Sequence, residues 1–458
     1  MDLYGSLFRT FLYPAWESLI RERPTLARLD YLERTQWRSL DELTAIQQGG
    51  LRRVLRHARD YVPFYARRFD DAGIEPDAIR SVDDLRKLPL MTRQDARRST
   101  EERASRIPPH ATIKKTTGGT TGEPLLIGYE PDSDHWRNAV KMRGYGWAGQ
   151  RPGDCTLHYW GFPTKGPAPF MRRAKLRVDR AIKRDIYIDC TLRGDDELAK
   201  VVDIIRREKP KFLVCYTQAG GDLARFINAR SLRDWGPIAV ICGAERLFTH
   251  DREAILQAFG AEPFETYGCR EVMLIGSECE RHDGLHESME NVVVELIVTE
   301  ENGTQRAARE GELGEVVLTD LHNFSMPFIR YANGDTATAG PSARCACGRG
   351  LRRIRSVEGR TTETLRDGDG ARVSGMVFNL IFSALAKSVS QFQAVQHKDG
   401  SITLRVIPTA QVPLDAAAMA HIRTNCEKYL KGVAIKVEPV AEIMVTKSGK
   451  RQPVVIEH

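Results

Sequence analysis

The chain has 458 residues, 41% hydrophobic and 28% charged, an ordinary balance for a globular protein with room for two or three domains. Its 68 Lys and Arg against 61 Asp and Glu leave a formal charge of +7, which favours anionic small-molecule ligands or weakly acidic partners and is too mild to indicate nucleic acid. No stretch reaches the roughly 18 to 20 unbroken apolar residues of a membrane helix; the nearest, Gly375 to Ala386, is interrupted by Asn379 and Ser383.

In chain order, the opening MDLYGSLFRTFLYPAWESLIRER lacks the basic start, long apolar run and small-residue cleavage site of a secretory signal. Residues 15 to about 105 carry helical periodicity, with Leu51, Val54, Leu55 and Ala58 forming an apolar stripe among many Arg. From Ala111 to Tyr129 the chain turns Gly- and Thr-rich, then apolar. Between 155 and 300, short apolar runs (212–216, 238–243 and 292–298) alternate with helical patterns, which predicts an α/β layered fold. The composition changes again near Val357–Arg366. Beyond it the sequence predicts a helix over 376–388, a strand over 401–408, a helix over 416–430 and a strand over 434–440, enough for a small α+β domain. The polar segment 445–455 reads as a mobile loop. The division expected is therefore 1–358 and 359–458, with a helical opening segment over about 1–105.

Two clusters carry chemistry. Residues 116–122 (Thr116, Thr117, Gly118, Gly119, Thr120, Thr121 and Gly122) pack three Gly and four Thr into seven positions. Gly lets the backbone approach an anion, successive N–H groups form a nest for phosphate oxygens, and Thr hydroxyls add donors. No GK[ST] follows, so this is not a Walker loop; a surface turn is the plain alternative. The second cluster is Cys279, His282, His286, Cys345 and Cys347, in ECERHDGLH and CACGR. Thiolates and imidazole suit a tetrahedral, structural zinc ion. The nine Cys are otherwise scattered singly, so a reducing, cytoplasmic compartment is expected, with metal or packing roles rather than disulfides. The run 171–184 holds seven basic residues and one acid; it reads as a solvated helix face, or as a surface for coenzyme A phosphates, an acidic carrier protein or a membrane.

The Thr/Gly loop does not stand alone. Gly243-Ala244-Glu245 after an apolar strand, Tyr267-Gly268-Cys269-Arg270-Glu271, Arg330-Tyr331-Ala332-Asn333-Gly334-Asp335, Gly359-Arg360 and Ser448-Gly449-Lys450 follow it in order. Together with HARDYVPFYARRF and SVDDLRKLPLMTRQD near the start, they resemble the motifs of the adenylate-forming (acyl-CoA synthetase) superfamily. The likeness is to its branch of phenylacetate–CoA ligases and capsular-polysaccharide-type adenylating proteins, from about residue 40 to the C-terminus.

The resemblance implies a large N-terminal AMP-binding domain of layered sheets and helices, followed by a small mobile α+β lid. It implies activation of a carboxylic acid by ATP with Mg2+, then transfer of the acyl group to coenzyme A. Transfer to an amine or a carrier protein, transfer of AMP itself, or a silent scaffold are the alternatives. By the same resemblance Thr116 to Gly122 hold the ATP phosphates, Glu271 contacts magnesium, and Asp335 accepts the ribose hydroxyls. Tyr267 with Gly268, and Gly243, Ala244 and Glu245, bracket the adenine. Arg360 reaches the ribose or phosphate, and Lys450 sits over the carboxylate and α-phosphate. His158, Tyr159 and Trp160 fall where relatives line the acyl pocket, or are simply core. The branch's EC…GLH and C-x-CGR pair points to Cys279, His286, Cys345 and Cys347 as zinc ligands, with His282 as the substitute. The hinge departs from the pattern: Thr361-Thr362-Glu363 stands where relatives usually carry Asp.

Overall fold

The computed structural model describes residues 2–116, 125–161, 170–191, 194–300, 302–360, 364–370, 372–374, 376–383, 385, 388–409, 414–443 and 452–457. The sequence starts its helices explicitly. Ser39 accepts the backbone N–H of Glu42 while the Glu42 carboxylate takes the N–H of Ser39, and this reciprocal cap opens the helix Leu40–Tyr61. Leu51, Val54, Leu55 and Ala58 on its inner face are all buried, as their spacing predicts.

The strands, in chain order, are β1 (Ile113–Thr116), β2 (Leu126–Tyr129), β3 (Thr156–Trp160), β4 (Asp185–Asp189), β5 (Phe212–Tyr216), β6 (Ala239–Gly243), β7 (Phe264–Cys269), β8 (Met273–Glu278), β9 (Leu285–Glu287), β10 (Val292–Thr299), β11 (Gln305–Ala307), β12 (Leu313–Asp320), β13 (Tyr331–Ala339) and β14 (Arg353–Arg360). β3 to β14 join in one twelve-stranded sheet ordered β11-β10-β12-β13-β14-β9-β8-β7-β6-β5-β3-β4. β4, β3, β5, β6 and β7 run parallel, and from β7 to β8 onward the pairing is antiparallel. Strand β7 is thus the seam of the sheet. The helices Asp195–Glu208, Thr217–Ala229 and Thr249–Phe259 cover the parallel half, which is why FLVCY of β5 is buried at every position.

Beyond β14 a separate apolar cluster gathers Phe378, Leu404, Ile422 and Val454. It lies within β15 (Thr364–Arg366), β16 (Arg372–Ser374), the helix Met376–Ser383, β17 (Val389–Gln396), β18 (Ile402–Pro408), the helix Ala416–Tyr429, β19 (Ile435–Pro439) and β20 (Val454–Ile456). Its four-stranded sheet is ordered β19-β18-β17-β20. Here the structure corrects the reading of 445–455 as loop: Val454 and Val455 belong to β20, parallel to β17, and Val454 is buried in the cluster. Two apolar β-branched residues at the end of a polar segment gain more from that sheet edge than from solvent. The helix expected to reach 388 closes at Ser383. No helix among the described residues is long and apolar enough to cross a membrane.

One buried ion pair anchors the antiparallel half. Arg330 holds a positive φ of 48°, its carbonyl accepts the Met91 N–H at 2.8 Å while the Met91 carbonyl accepts the Ala332 N–H at 3.0 Å, and its side chain pairs with Glu295 at 3.2 Å. Both side chains are almost wholly buried. Removing one partner leaves an uncompensated buried charge, so Arg330→Ala should lower the unfolding free energy by about 3–5 kcal/mol in urea denaturation. A loss below about 1 kcal/mol would show that the pair is dispensable.

Candidate active site and metal centre

The carboxyl ends of parallel strands are where an open α/β sheet binds ligands. β6 ends at Gly243 and β7 runs through Tyr267 to Cys269, so two of the predicted motifs meet there. Gly243 lies close to Thr266 and Trp160; a Cβ at 243 would stand 2.9 Å from Thr266 Oγ1 and 3.4 Å from Trp160. Gly268 sits at a register shift of β7 against β8, where a Cβ would fall 2.4 Å from the carbonyl oxygen of Met273. Only glycine fits there.

Tyr267 and Asp335 come together as expected. Tyr267 Oη donates to Asp335 Oδ2 at 2.8 Å, and Asn333 Nδ2 donates both to that oxygen at 2.7 Å and to Tyr267 Oη at 2.8 Å. Burial, and then the Asp335 charge, push the Tyr267 phenol well above its ordinary range, so it remains a donor. Glu271 is buried beside them: Tyr331 Oη donates to its Oε1 at 3.2 Å and Arg93 approaches to 3.9 Å. Burial, and then Glu271, likewise hold the Cys269 thiol and the Tyr331 phenol in their neutral forms. Arg270 donates to the carbonyl of Thr116, tying the YGxxE turn to the first residue of the phosphate loop. Thr117 to Gly122 and Lys450 lie outside the described residues, as does the Arg360 side chain; the Arg360 backbone pairs with Asp335 across β13 and β14.

Three features were not anticipated from the sequence. Glu245, in the turn expected to border the adenine, caps the helix Thr217–Ala229: its Oε2 accepts the Gln218 N–H at 3.1 Å and its carbonyl accepts Thr217 Oγ1 at 2.8 Å. A carboxylate at a helix N-terminus is held by orphan N–H groups and the helix dipole. Next to it, Arg246 pairs with buried Glu358, which also accepts Thr338 Oγ1 at 3.0 Å and Ser356 Oγ. Glu358 directly precedes Gly359, whose φ is 121°, and Arg360. Glu265 accepts the Leu247 N–H at 2.9 Å, holding the same turn from the β7 side. Of the weaker candidates, His158 binds Asp185 at 3.1 Å and Tyr159 is core, while Trp160 meets Tyr216 at the strand ends, ring centroids 4.4 Å apart.

The second cluster also assembles. One ligand atom from each of Cys279, His286, Cys345 and Cys347 lies within 4.8 Å of all the others. Cys279 Sγ and Cys345 Sγ are 3.9 Å apart, and Cys347 Sγ and His286 Nε2 3.4 Å, close to the ~3.5–3.8 Å edges of a tetrahedron with zinc–ligand bonds of about 2.0–2.3 Å. His286 Nδ1 faces the Leu351 carbonyl at 3.4 Å, which leaves Nε2 as the ligand atom. Backbone N–H groups of Arg281 and Arg349 point at the sulfurs of Cys279 and Cys347. His282 turns away, its Nδ1 3.1 Å from Glu278.

A layered sheet with a small α+β unit after it, and a carboxylate cluster at the strand ends, is the architecture of adenylate-forming enzymes. Among solved structures the chain is similar to 2-hydroxyisobutyryl-CoA ligase in its postadenylation state in complex with R3-HIB-AMP, with a TM-score of 0.74 and 21% identity over 93% of this chain and 92% of that one. No protein-family model matches the chain. Among curated proteins it is similar to the phenylacetate–coenzyme A ligase of Escherichia coli (strain K12), 30% identical over 360 residues, 74% of this chain and 76% of that protein. It is also similar to the phenylacetate–coenzyme A ligase of Aromatoleum evansii, 28% identical over 448 residues, 93% and 96% of the two. The chain belongs to the phenylacetate–coenzyme A ligase family.

Burial pushes the Glu265 carboxyl up to about 7. A folded-state value above the unfolded one gives stability that is full below about pH 4.5 and is lost as pH rises through about 7. Glu265→Gln keeps the acceptor for Leu247 and removes the titration. Discounted for the solvent that reaches this side chain, the variant should gain on the order of 2 kcal/mol over the parent at pH 8, and nothing at pH 4. Parallel stability–pH curves for the two proteins would contradict this.

Proposed function

We propose that this protein activates a small carboxylic acid with ATP as an acyl-adenylate and then transfers the acyl group to coenzyme A. The observation that carries this is the Tyr267–Asn333–Asp335 cluster with Glu271 beside it, at the carboxyl ends of β6 and β7. A carboxylate fixed by two donors suits a ribose diol, and a buried acidic group close to the phosphate loop suits a cation that screens phosphate charge. The curated relatives are named coenzyme A ligases, which supports coenzyme A rather than an amine or a carrier protein as the acceptor.

In this reading Asp335 accepts the ribose hydroxyls, and Tyr267 with Gly243 and Ala244 borders the adenine. Glu245 fixes the turn that carries them. Thr116 and the loop to Gly122 hold the β- and γ-phosphates, and Glu271 would hold Mg2+, which screens the leaving pyrophosphate when bound. Arg360 serves the ribose or phosphate side. Lys450 bridges the attacking carboxylate and the α-phosphate, so that two anions can meet in line. Residues 359–458 act as a lid that turns about Gly359 and Arg360 between the two half-reactions. Cys279, His286, Cys345 and Cys347 hold a structural Zn2+, since the four atoms leave no position open for substrate.

Acid-dependent pyrophosphate exchange over a panel of aryl and aliphatic acids tests the first half-reaction, and product analysis with coenzyme A tests the second. Lys450→Ala should lose adenylation by about 100-fold or more while still forming thioester from supplied acyl-adenylate. Equal loss of both would remove the assignment, and exchange without thioester would remove coenzyme A as the acceptor. Purified protein should contain about one zinc per chain, falling sharply in Cys347→Ser. Less than about half an equivalent in the parent protein rules the metal out.

A further inference from the structure

The first twenty residues wind unusually. Leu3–Leu7 is α-helical, whereas Phe8–Leu12 and Ala15–Ile20 are π-wound. A π-helix bonds five residues back, so side chains four or five positions apart share a face. That spacing separates Leu3, Leu7, Phe11, Trp16 and Ile20, and all five are exposed, Leu3 by 75%, Phe11 by 64% and Ile20 by 65%. The other face, with Gly5, Phe8 and Glu17, is buried against the body of the protein. Contiguous exposed apolar surface of this kind marks an interaction site.

The helix Phe170–Lys183 shows what covers it. Tyr4 Oη donates to the Ile182 carbonyl at 2.6 Å, and Arg184 pairs with Asp2 at 2.7 Å. The two segments therefore lie side by side. On this helix Val178 and Ile182 are exposed as well, Arg177 is exposed next to Val178, and Arg180, Lys183 and Arg184 are half-buried on the same segment. The sole acid between 170 and 184, Asp179, is paired with Lys183 at 3.0 Å.

An apolar stripe bordered by cations is the pattern of a segment lying in the plane of a bilayer, its apolar side among the acyl chains and its Lys and Arg at anionic headgroups. A second copy is a poorer occupant. A two-fold contact through this patch would bring two copies of the same net-positive helix into one interface. We propose that the N-terminal helical segment and the helix Phe170–Lys183 form one face that docks flat on an anionic lipid surface.

Flotation of the full chain with vesicles of phosphatidylcholine, with and without phosphatidylglycerol, tests this. The protein should float with the mixed vesicles and not with the neutral ones, and added salt should release it. The double variant Leu7→Glu/Phe11→Glu, and separately Arg177→Glu, should each lower the floating fraction about tenfold with unchanged thermal melting, because all three side chains are exposed. Three outcomes overturn the proposal: no flotation with either vesicle, equal flotation with both, or a dimer in solution that the double variant splits into monomers.

Discussion

The hydrogen bond from Tyr267 to Asp335 holds together two stretches of chain far apart in sequence. Tyr267 lies on β7, where parallel pairing gives way to antiparallel, and Asp335 lies on β13, four strands further along the sheet. A carboxylate at such a place is tolerable only if its charge is answered by well-placed donors. Tyr267 and Asn333 answer it at one oxygen, and in doing so they fix the distance between β7 and the strand that pairs with Arg360. The site is thus the point where the two halves of the sheet are registered against each other.

β8 extends that registration to the Cys/His cluster. It begins two residues after Glu271 and ends one residue before Cys279, so one strand of six residues, about 20 Å long, joins the carboxylate cluster to the cysteine cluster. Cys345 and Cys347 come from the connection between β13 and β14, the strands that carry Asp335 and Arg360. A cluster that gathers residues from the end of β8, from β9 and from the β13–β14 connection constrains the near end of these strands without touching it.

Much of this was legible in the sequence because local rules decide it. FLVCY of β5 reads as a doubly covered strand, and the spacing of Leu51, Val54, Leu55 and Ala58 reads as a helix face. The five ordered motifs put Tyr267, Asp335 and Glu271 in one place. Spacing alone does not separate His286 from His282, since both follow Cys279 closely; the resemblance points to His286, and the pairing of β9 with β8 turns it inward. Glu245 looked like a ligand residue because it follows an apolar strand, and nothing local reveals the helix end it caps. Asn333, Glu265 and the Arg246–Glu358 pair depend on contacts between distant segments, which no periodicity reports. The exposed apolar side of residues 3–20 escaped notice for another reason: with π winding its repeat is longer than the 3.6-residue period by which helices are read.

The Arg246–Glu358 pair spans from the turn after β6 to the last residue before Gly359. A single guanidinium therefore ties the turn after the parallel strand β6 to the residue that precedes the C-terminal unit. Free energies at two places that share a group are reciprocal: whatever strains the turn is felt at Glu358, and whatever displaces Glu358 is felt at the turn by the same factor. Replacing Arg246 by Lys would keep the charge yet lose the planar guanidinium that lies over Phe248 while it reaches Glu358.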